Sequence, residues 1–338
     1  MRRRRCPAIA LVICVCAAVA CGSKSPTAPT PAADFASQFD SLWSTFDREY
    51  SYFEHKHIDW NAMRTTYRPR ALAAADQASF IAVVREMLAQ LHDIHVVLRD
   101  PSGATIPTYL SDRFVNFDRA VWLQYISRAS WTQWSNDSGV GVLDGVPYFA
   151  FGGWNTSSLS TSTFDAALER FRTAPVMILD VRMNGGGNDS IAIDFGGRFT
   201  SSTVSYAYTK TRNGPAHTDF TSPQTRTMSP RGPWQYAGRV IVLIGARCAS
   251  SNESFIVAMG RLPNVTLVGD RTVGATANPG VFPLANGWSY TVSRWVEYTI
   301  DNLVIEDNGI PPDVFVPASA ADFAAGRDPV IDWALANK

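Results

Sequence analysis

Residues 241–253 read IVLIGARCASSNE, and this stretch decides the fold. The apolar run at 240–244 is short and rich in β-branched residues, with Gly238 before it and Gly245 after it. A run of this kind predicts a strand that is buried on both faces of a sheet. The small residues that follow predict a turn and a helix start, so Ser250 would stand near a helix N-terminus. Unpaired backbone N–H groups there can stabilise negative charge on a substrate oxygen.

Similar patterns occur before and after this stretch. Residues 176–181 form another apolar run, followed by a glycine-rich turn at 184–187 and a helical pattern at 189–199. Residues 265–268 predict the next strand. Strands that alternate with helices favour a mostly parallel sheet with helices on its faces. The predicted fold class is therefore α/β.

The residues before position 96 show helical spacing instead. Apolar side chains recur every three or four positions in residues 35–50 and again in residues 80–91. Pro69 is expected to end a helix between them near Tyr67, because proline lacks the backbone N–H that a helix interior needs. These patterns predict an N-terminal helical cap.

We predict this cap over residues 34–95 and an α/β core over residues 96–338. The core begins with residues 99–138, where scattered aromatic residues show no clear periodicity, and we expect loops there. A β-hairpin is expected next, around Asp144 and Gly145, because this dipeptide favours a tight turn between strands.

The N-terminus has the composition of a secretory signal. Four arginines at positions 2–5 precede an apolar segment at 8–20, which is too short to span a membrane with ease. The small residues before Cys21 resemble the lipobox of bacterial lipoproteins, in which the cysteine is lipidated and becomes the new N-terminus. An ordinary signal peptide with a coincidental cysteine is the alternative.

These features predict a lipoprotein signal peptide at residues 1–20 and a flexible tether at residues 21–33, which is rich in Ser, Thr and Pro. A lipid anchor at Cys21 would attach the protein to a membrane. We therefore expect it in the bacterial cell envelope, on the periplasmic or extracellular face.

Charge and cysteine content exclude some classes of protein. The chain has 30 basic and 30 acidic residues, and loss of residues 1–20 would leave 26 basic and 30 acidic ones. Without a basic surplus, we expect no nucleic-acid partner. Once Cys21 is lipidated, Cys248 is the single cysteine left after the signal, so no intramolecular disulfide is expected.

Two histidine pairs raise the question of a metal. His92 and His95 are three positions apart, and His55 and His57 are two positions apart. A zinc site normally has three or four protein ligands, and no further His or Cys cluster in the sequence completes such a set. We therefore expect neither a metal nor a cofactor.

Five separated stretches share an order with a known family. They are LHDIHVVL at 91–98, ILDVRMNGGG at 178–187, CASSNE at 248–253, VGDRTVGAT at 268–276 and EDNGIPPDV at 306–314. Together they resemble the tail-specific, C-terminal-processing serine peptidase family over residues 34–320. The resemblance implies a crotonase-like βαβ core and an endopeptidase that cleaves peptides or proteins through an acyl-enzyme.

The resemblance places the nucleophile at Ser250, three residues before Glu253. From the residues alone, Ser250 is equally well interpreted as a helix cap. Ser251 and Cys248 are neighbouring rivals. Cys248 is the stronger nucleophile by nature, but it replaces a serine that is not the nucleophile in the family pattern.

A serine hydroxyl needs a base to become a good nucleophile. The processing branch of the family uses a lysine, whose position corresponds here to Ala275. No lysine lies between Lys210 and Lys338, which excludes a Ser/Lys dyad of the usual spacing.

The sequence instead resembles the branch that contains the core of tricorn protease, which pairs serine with a histidine and a glutamate. These match His95 as general base and Glu306 as the residue that orients and charges the site. The tricorn pattern has a serine before its histidine, where this chain has Ile94, so the Glu306 contact would run through another hydroxyl or water. A core histidine at a strand start is the alternative for His95.

The glycine turn is expected to supply the oxyanion hole. Glycines let backbone N–H groups approach a tetrahedral intermediate closely. The candidate donors are Gly186, Gly187 and the N–H of Ser251, and among the glycines we favour Gly186.

No PDZ domain is expected between Leu98 and Val176, because that interval already holds a hairpin and a helix. The expected partner is a peptide or protein substrate. The alternative function is a catalytically inactive ligand-binding module on the same fold, like the retinoid-binding repeats of this superfamily.

Overall fold

The computed structural model describes residues 34–135, 137–155 and 160–338, and Phe35–Lys338 form one compact unit. The predicted signal peptide, the tether and Cys21 lie outside the described residues. Among the described helices, none is long and apolar enough to cross a membrane.

The α-helices are α1 (Phe35–Glu49), α2 (Trp60–Leu72), α3 (Gln77–Ala89), α4 (Arg119–Ile126), α5 (Thr161–Glu169), α6 (Asp189–Gly196), α7 (Ser251–Met259), α8 (Ala320–Ala324) and α9 (Pro329–Ala336). The strands are β1 (Val97–Arg99), β2 (Thr105–Pro107), β3 (Thr132–Ser135), β4 (Ser138–Leu143), β5 (Val146–Ala150), β6 (Val176–Asp180), β7 (Val204–Thr211), β8 (Gln224–Met228), β9 (Arg239–Ile244), β10 (Val265–Gly269), β11 (Gly280–Pro283), β12 (Ser289–Val292), β13 (Trp295–Thr299) and β14 (Val314–Phe315).

A seven-stranded sheet with the order β14-β10-β9-β6-β5-β4-β3 lies at the centre of the unit. The pairs from β14 to β5 are parallel, and the last two pairs are antiparallel. The expected hairpin at Asp144 and Gly145 joins β4 to β5. The predicted α/β class with a mostly parallel sheet is therefore confirmed.

Strand β9 is buried on both faces, as the apolar run predicts. Val240 and Val242 pack into a cluster with residues of α5, α6 and α7. Ile241 and Leu243 point to the other face, where they pack with residues of α4 and α9. Because alternate residues of a strand point to opposite faces, a run that is apolar at every position fits a sheet covered by helices on both sides.

Helices α1, α2 and α3 pack against a second, antiparallel sheet with the order β11-β12-β1-β2. Aromatic residues from the helices, among them Phe46 and Trp60, share this core with Tyr290 of β12. The segment between α3 and β1, which contains His95, is thereby fixed beside β12. The domain boundary at residue 95 stays a prediction.

Two details of the sequence interpretation are wrong. Helix α2 continues past Pro69 to Leu72, and the N–H of Ala73 donates to the carbonyl oxygen of Pro69 at 3.1 Å. Proline removes only its own N–H, so one further turn can still form. The stretch expected to be loops also holds α4, whose N-cap Asp118 accepts the N–H of Val121 at 2.9 Å.

Candidate active site

Ser250 stands in a strained turn where the chain leaves β9 and enters α7. It is the N-cap of α7, with φ 57° and ψ −134°. This conformation lies close to a region that only glycine adopts easily. Within the described residues, its hydroxyl makes no capping hydrogen bond. A serine held at a sharp strand-to-helix turn has the geometry of a nucleophile elbow, whereas the helix-cap interpretation lacks its defining hydrogen bond.

The two rival nucleophiles are engaged elsewhere. Cys248 is fully buried, and its thiol donates to the carbonyl oxygen of Val181 at 3.2 Å. Burial raises the pKa of this thiol far above its usual range. The hydroxyl of Ser251 donates to the carbonyl oxygen of Gly187 at 2.6 Å. Ser250, which is half-buried, is the one whose hydroxyl is open to a substrate.

Glu253 holds the loop that faces the nucleophile. Its buried carboxylate accepts the N–H groups of Gly274 at 2.9 Å and Ala275 at 2.7 Å, together with the hydroxyl of Thr272. The carbonyl of Ala275 in turn accepts the N–H of Ser250 at 2.7 Å. Burial raises the pKa of Glu253 to about 8, although these hydrogen bonds oppose the shift. Sequence reasoning used Glu253 only to locate the serine and missed this positioning role.

The glycine turn lies directly against Ser250. A Cβ added to Gly186 would lie 2.7 Å from the Cβ of Ser250, so the two backbones are in close contact. The N–H of Gly186 is already donated to Oδ1 of Asn184 at 2.8 Å. Among the residues that the structure describes, the N–H groups of Gly187 and Ser251 have no acceptor. This geometry favours Gly187 over Gly186 as the partner of Ser251, and the oxyanion hole itself stays a prediction.

His95 lies in the turn between α3 and β1, next to the buried carboxylate of Asp93. The Oδ1 atom of Asp93 accepts the backbone N–H of His95 at 2.8 Å and lies 3.9 Å from its Nδ1. Its Oδ2 atom accepts the hydroxyl of Ser293 at 2.7 Å. The His95 side chain is 13% exposed, and burial lowers its pKa, against the opposing charge of Asp93. A histidine that stays neutral at neutral pH is able to accept a proton.

Glu306 contacts the helical region rather than His95. One carboxylate oxygen lies 2.9 Å from Nζ of Lys56, and the other accepts the N–H of Thr276 at 3.2 Å. Burial raises the pKa of Glu306 well above its usual range, the charge of Asp93 adds to this, and the charge of Lys56 opposes it. In the described part of the chain, no hydrogen bond joins Glu306 to His95, whose Nδ1 has no partner.

Two neighbouring cavities contain some of the predicted residues, and His95 lines neither of them. Ser250, Ser251 and Gly187 line one cavity of about 250 Å³, and Glu306 lines another of about 250 Å³. The backbone between Ala275 and Thr276 contributes to both: it accepts the N–H of Ser250 on one side and donates to Glu306 on the other. Ser250 and Glu306 are thus linked through one peptide unit.

Sequence reasoning missed Asp93 and Lys56 as members of this site. Asp93 stands in the same motif as His95, and an aspartate two residues before a histidine is a signal for a local turn. Lys56 gives no such signal, because its partner Glu306 lies 250 positions away in the sequence.

Residues 146–316 match the model of peptidase family S41, and residues 31–89 match the tricorn protease C1 domain. Tricorn protease of Thermoplasma acidophilum is 27% identical over 163 residues, which are 47% of this chain and 14% of that protein. The chain thus matches about a seventh of the length of this relative.

Two solved structures are similar over almost the whole chain. A candidate peptidase from Parabacteroides merdae is 27% identical with a TM-score of 0.79, and the alignment covers 89% of this chain and 95% of that one. Mature CPAF complexed with lactacystin is 10% identical with a TM-score of 0.67, covering 90% and 99%. The likeness to CPAF is a likeness of fold alone.

Proposed function

The chain belongs to peptidase family S41, and on this premise we propose that it is a serine endopeptidase that works through an acyl-enzyme on Ser250. One observation carries the assignment of the nucleophile. Ser250 is held with positive φ at the start of α7, while the nucleophilic atoms of Cys248 and Ser251 are hydrogen-bonded to the backbone. A strained serine whose hydroxyl has no structural hydrogen bond is suited to attack a carbonyl carbon.

His95 is the general base in this mechanism. It removes the proton of the Ser250 hydroxyl as Oγ attacks the peptide carbonyl, and it then gives that proton to the leaving amine. The N–H groups of Gly187 and Ser251 stabilise the oxyanion. Water enters after the amine leaves, loses a proton to His95 and attacks the acyl carbon, and His95 returns that proton to Oγ of Ser250 as the acid product leaves.

Asp93 and Glu306 share the orienting role that the resemblance gives to Glu306 alone. Asp93 is the positioning residue for His95, because it holds the backbone of the turn and its charge lies 3.9 Å from Nδ1. A negative charge there stabilises the imidazolium that forms during attack. Glu306 acts through its bonds to Lys56 and Thr276, which fix the loop beside Ser250.

The proposal extends to a location in the bacterial cell envelope, with peptides or proteins of that compartment as substrates. It is supported by the sequence around Cys21, with four arginines and an apolar segment before it and a Pro-rich stretch after it. Metabolic labelling with a fatty acid tests this: wild type should be labelled, and Cys21→Ser should not. Retained labelling of the variant would exclude Cys21 as the anchor.

A fluorophosphonate probe tests the catalytic assignment. Wild-type protein should be labelled, and Ser250→Ala should lose the label while its circular dichroism is unchanged. Cys248→Ala is the matched control, because it removes the rival nucleophile from the same turn and should keep the label. Labelling that persists in Ser250→Ala, or a folded wild-type protein that is never labelled, would contradict the proposal.

A further inference from the structure

The cavity beside Ser250 has mainly polar walls. Asp189, Ser254 and Glu297 line it together with Thr276 and the indole of Trp295. Its volume of about 250 Å³ is suited to one long side chain rather than to a folded segment of peptide. The cavity that opens at the nucleophile receives the part of the substrate next to the bond that is cut, so its walls decide which residue fits there.

Acidic groups outnumber basic ones at this cavity. The carboxylate of Glu297, which is 1% exposed, lies 2.8 Å from Nη1 of Arg226. Asp189, 34% exposed, contacts the other terminal nitrogen of the same guanidinium. Arg226 lines a different cavity and approaches the two acids from there. One guanidinium is thus shared by two carboxylates, both of which line the cavity that contains Ser250.

Glu297 does not keep a full negative charge at neutral pH. Burial raises its pKa to about 7; Arg226 opposes the shift and the charge of Asp189 adds to it. The charge of Arg226 therefore does not fully offset the effect of burial on Glu297. A second cation on the open side would complete the balance.

Two further groups at the cavity lack partners. Thr276 is 2% exposed, and its buried hydroxyl has no hydrogen-bond partner among the described residues. The indole N–H of Trp295 is likewise buried and unpaired in the part of the chain that the structure describes. Buried polar atoms of this kind normally pair with protein, water or ligand, so these two residues of the cavity wall have hydrogen-bonding capacity that the described residues leave unused.

We infer that this cavity is the subsite for the substrate residue whose carbonyl Ser250 attacks, and that it selects a cationic side chain, lysine or arginine. The inference rests on the proposed peptidase function and names its substrate class. The ammonium or guanidinium group would lie near Asp189 and Glu297, opposite Arg226. An apolar side chain would instead cover the partly exposed carboxylate of Asp189 without adding a partner to it or to the hydroxyl of Thr276, which is unfavourable.

Internally quenched peptides that differ at one position test the inference. With Lys, Arg, Leu or Glu at that position, and the cut site read by mass spectrometry, kcat/KM for Lys or Arg should exceed that for Leu by about 10- to 100-fold, the range of a charge-assisted hydrogen bond. Asp189→Asn should reduce the ratio of Lys to Leu about tenfold, and Glu297→Gln should change it in the same direction.

Asp194→Asn is the matched control, because it removes a carboxylate from the same helix at a position outside this cavity. This variant should keep the preference for Lys. If Ser250 is labelled by a fluorophosphonate but cleavage follows apolar residues, or if Asp189→Asn keeps the wild-type ratio, the subsite inference is wrong and the peptidase proposal stands. If Ser250 is not labelled and no peptide is cut, both are wrong.

Discussion

Ser250 donates its backbone N–H to the carbonyl oxygen of Ala275 at 2.7 Å. Ala275 occupies the position where the lysine-dependent branch of the family has its base, so this position contributes backbone rather than a side chain here. The next residue, Thr276, donates its N–H to Glu306. The loop from Thr272 to Thr276 therefore connects Ser250 to the buried carboxylate of Glu306. A substitution on either side of this loop should change the position of Ser250.

Gly186→Ala should abolish most of the activity, whereas Gly185→Ala should not. A Cβ at position 186 would lie 2.7 Å from Cβ of Ser250 and 2.9 Å from the carbonyl oxygen of Ala249, in a residue with φ 107°. We expect the rate at which a fluorophosphonate phosphonylates Ser250 to fall by about 100-fold or more, the loss typical of a damaged oxyanion hole. At position 185 an added Cβ meets no described atom within 4 Å, which makes it the control. Equal rates in the two variants would show that the turn does not support Ser250.

Asp93→Asn should reduce kcat/KM by about tenfold or more and move its acid limb to lower pH. The direction follows from charge: burial lowers the pKa of His95 and Asp93 opposes this, so loss of the aspartate charge should lower the His95 pKa further. The measurement is a pH–rate profile of wild type and variant. A purely structural role for Asp93 would reduce the rate without moving the limb.

Ser293→Ala provides the control for Asp93. It removes the hydroxyl that donates to Oδ2 of Asp93 at 2.7 Å and leaves the carboxylate in place. The acid limb should therefore stay near its wild-type position. An acid limb that moves to higher pH in Asp93→Asn would contradict the assigned role.

The turn that carries Ser250 and the sheet were predictable because their signals are local. The apolar run before Ser250 and the acid three residues after it stand within fifteen positions, and a strand, a turn and a helix start follow from them. The choice between Gly186 and Gly187 was not predictable in this way. It depends on which N–H the side chain of Asn184 occupies, and that is set by backbone angles that a glycine sequence leaves open.

The residues around His95 could not be predicted from the sequence, for a different reason. Asp93 meets Ser293, and Lys56 meets Glu306, across 200 and 250 positions. Periodicity in the sequence does not indicate such pairs, because they form only when helices α1–α3 pack on the sheet that contains β11 and β12. A family pattern can indicate Glu306, but not the lysine that neutralises it.

Lys56→Met should destabilise the protein by about 1–3 kcal/mol, the cost of leaving buried polar groups without a partner, because it removes the cation that lies 2.9 Å from Glu306 and 2.6 Å from Asp307. Glu306→Gln should cost less and should reduce acylation without unfolding the chain. In the double variant the two losses should not add, since the two side chains are in direct contact. Urea denaturation of wild type, the two single variants and the double variant measures the coupling free energy between Lys56 and Glu306. Additive losses would show that the contact of 2.9 Å between Nζ of Lys56 and the Glu306 carboxyl oxygen contributes little.

Unfolding free energy should fall as pH rises from about 5 to about 8, and Glu253 should contribute to the fall. The folded carboxyl holds its proton up to about pH 8, whereas an unfolded glutamate releases it near 4.5. Between these values the unfolded state binds fewer protons, so the stability that Glu253 contributes is fully present below pH 4.5 and is lost as the pH rises through the folded pKa. Urea denaturation at pH 5 and pH 8 should show a difference of a few kcal/mol. Glu253→Gln, which cannot titrate, should have a flatter pH dependence, and an unchanged slope in this variant would place the titrating group elsewhere.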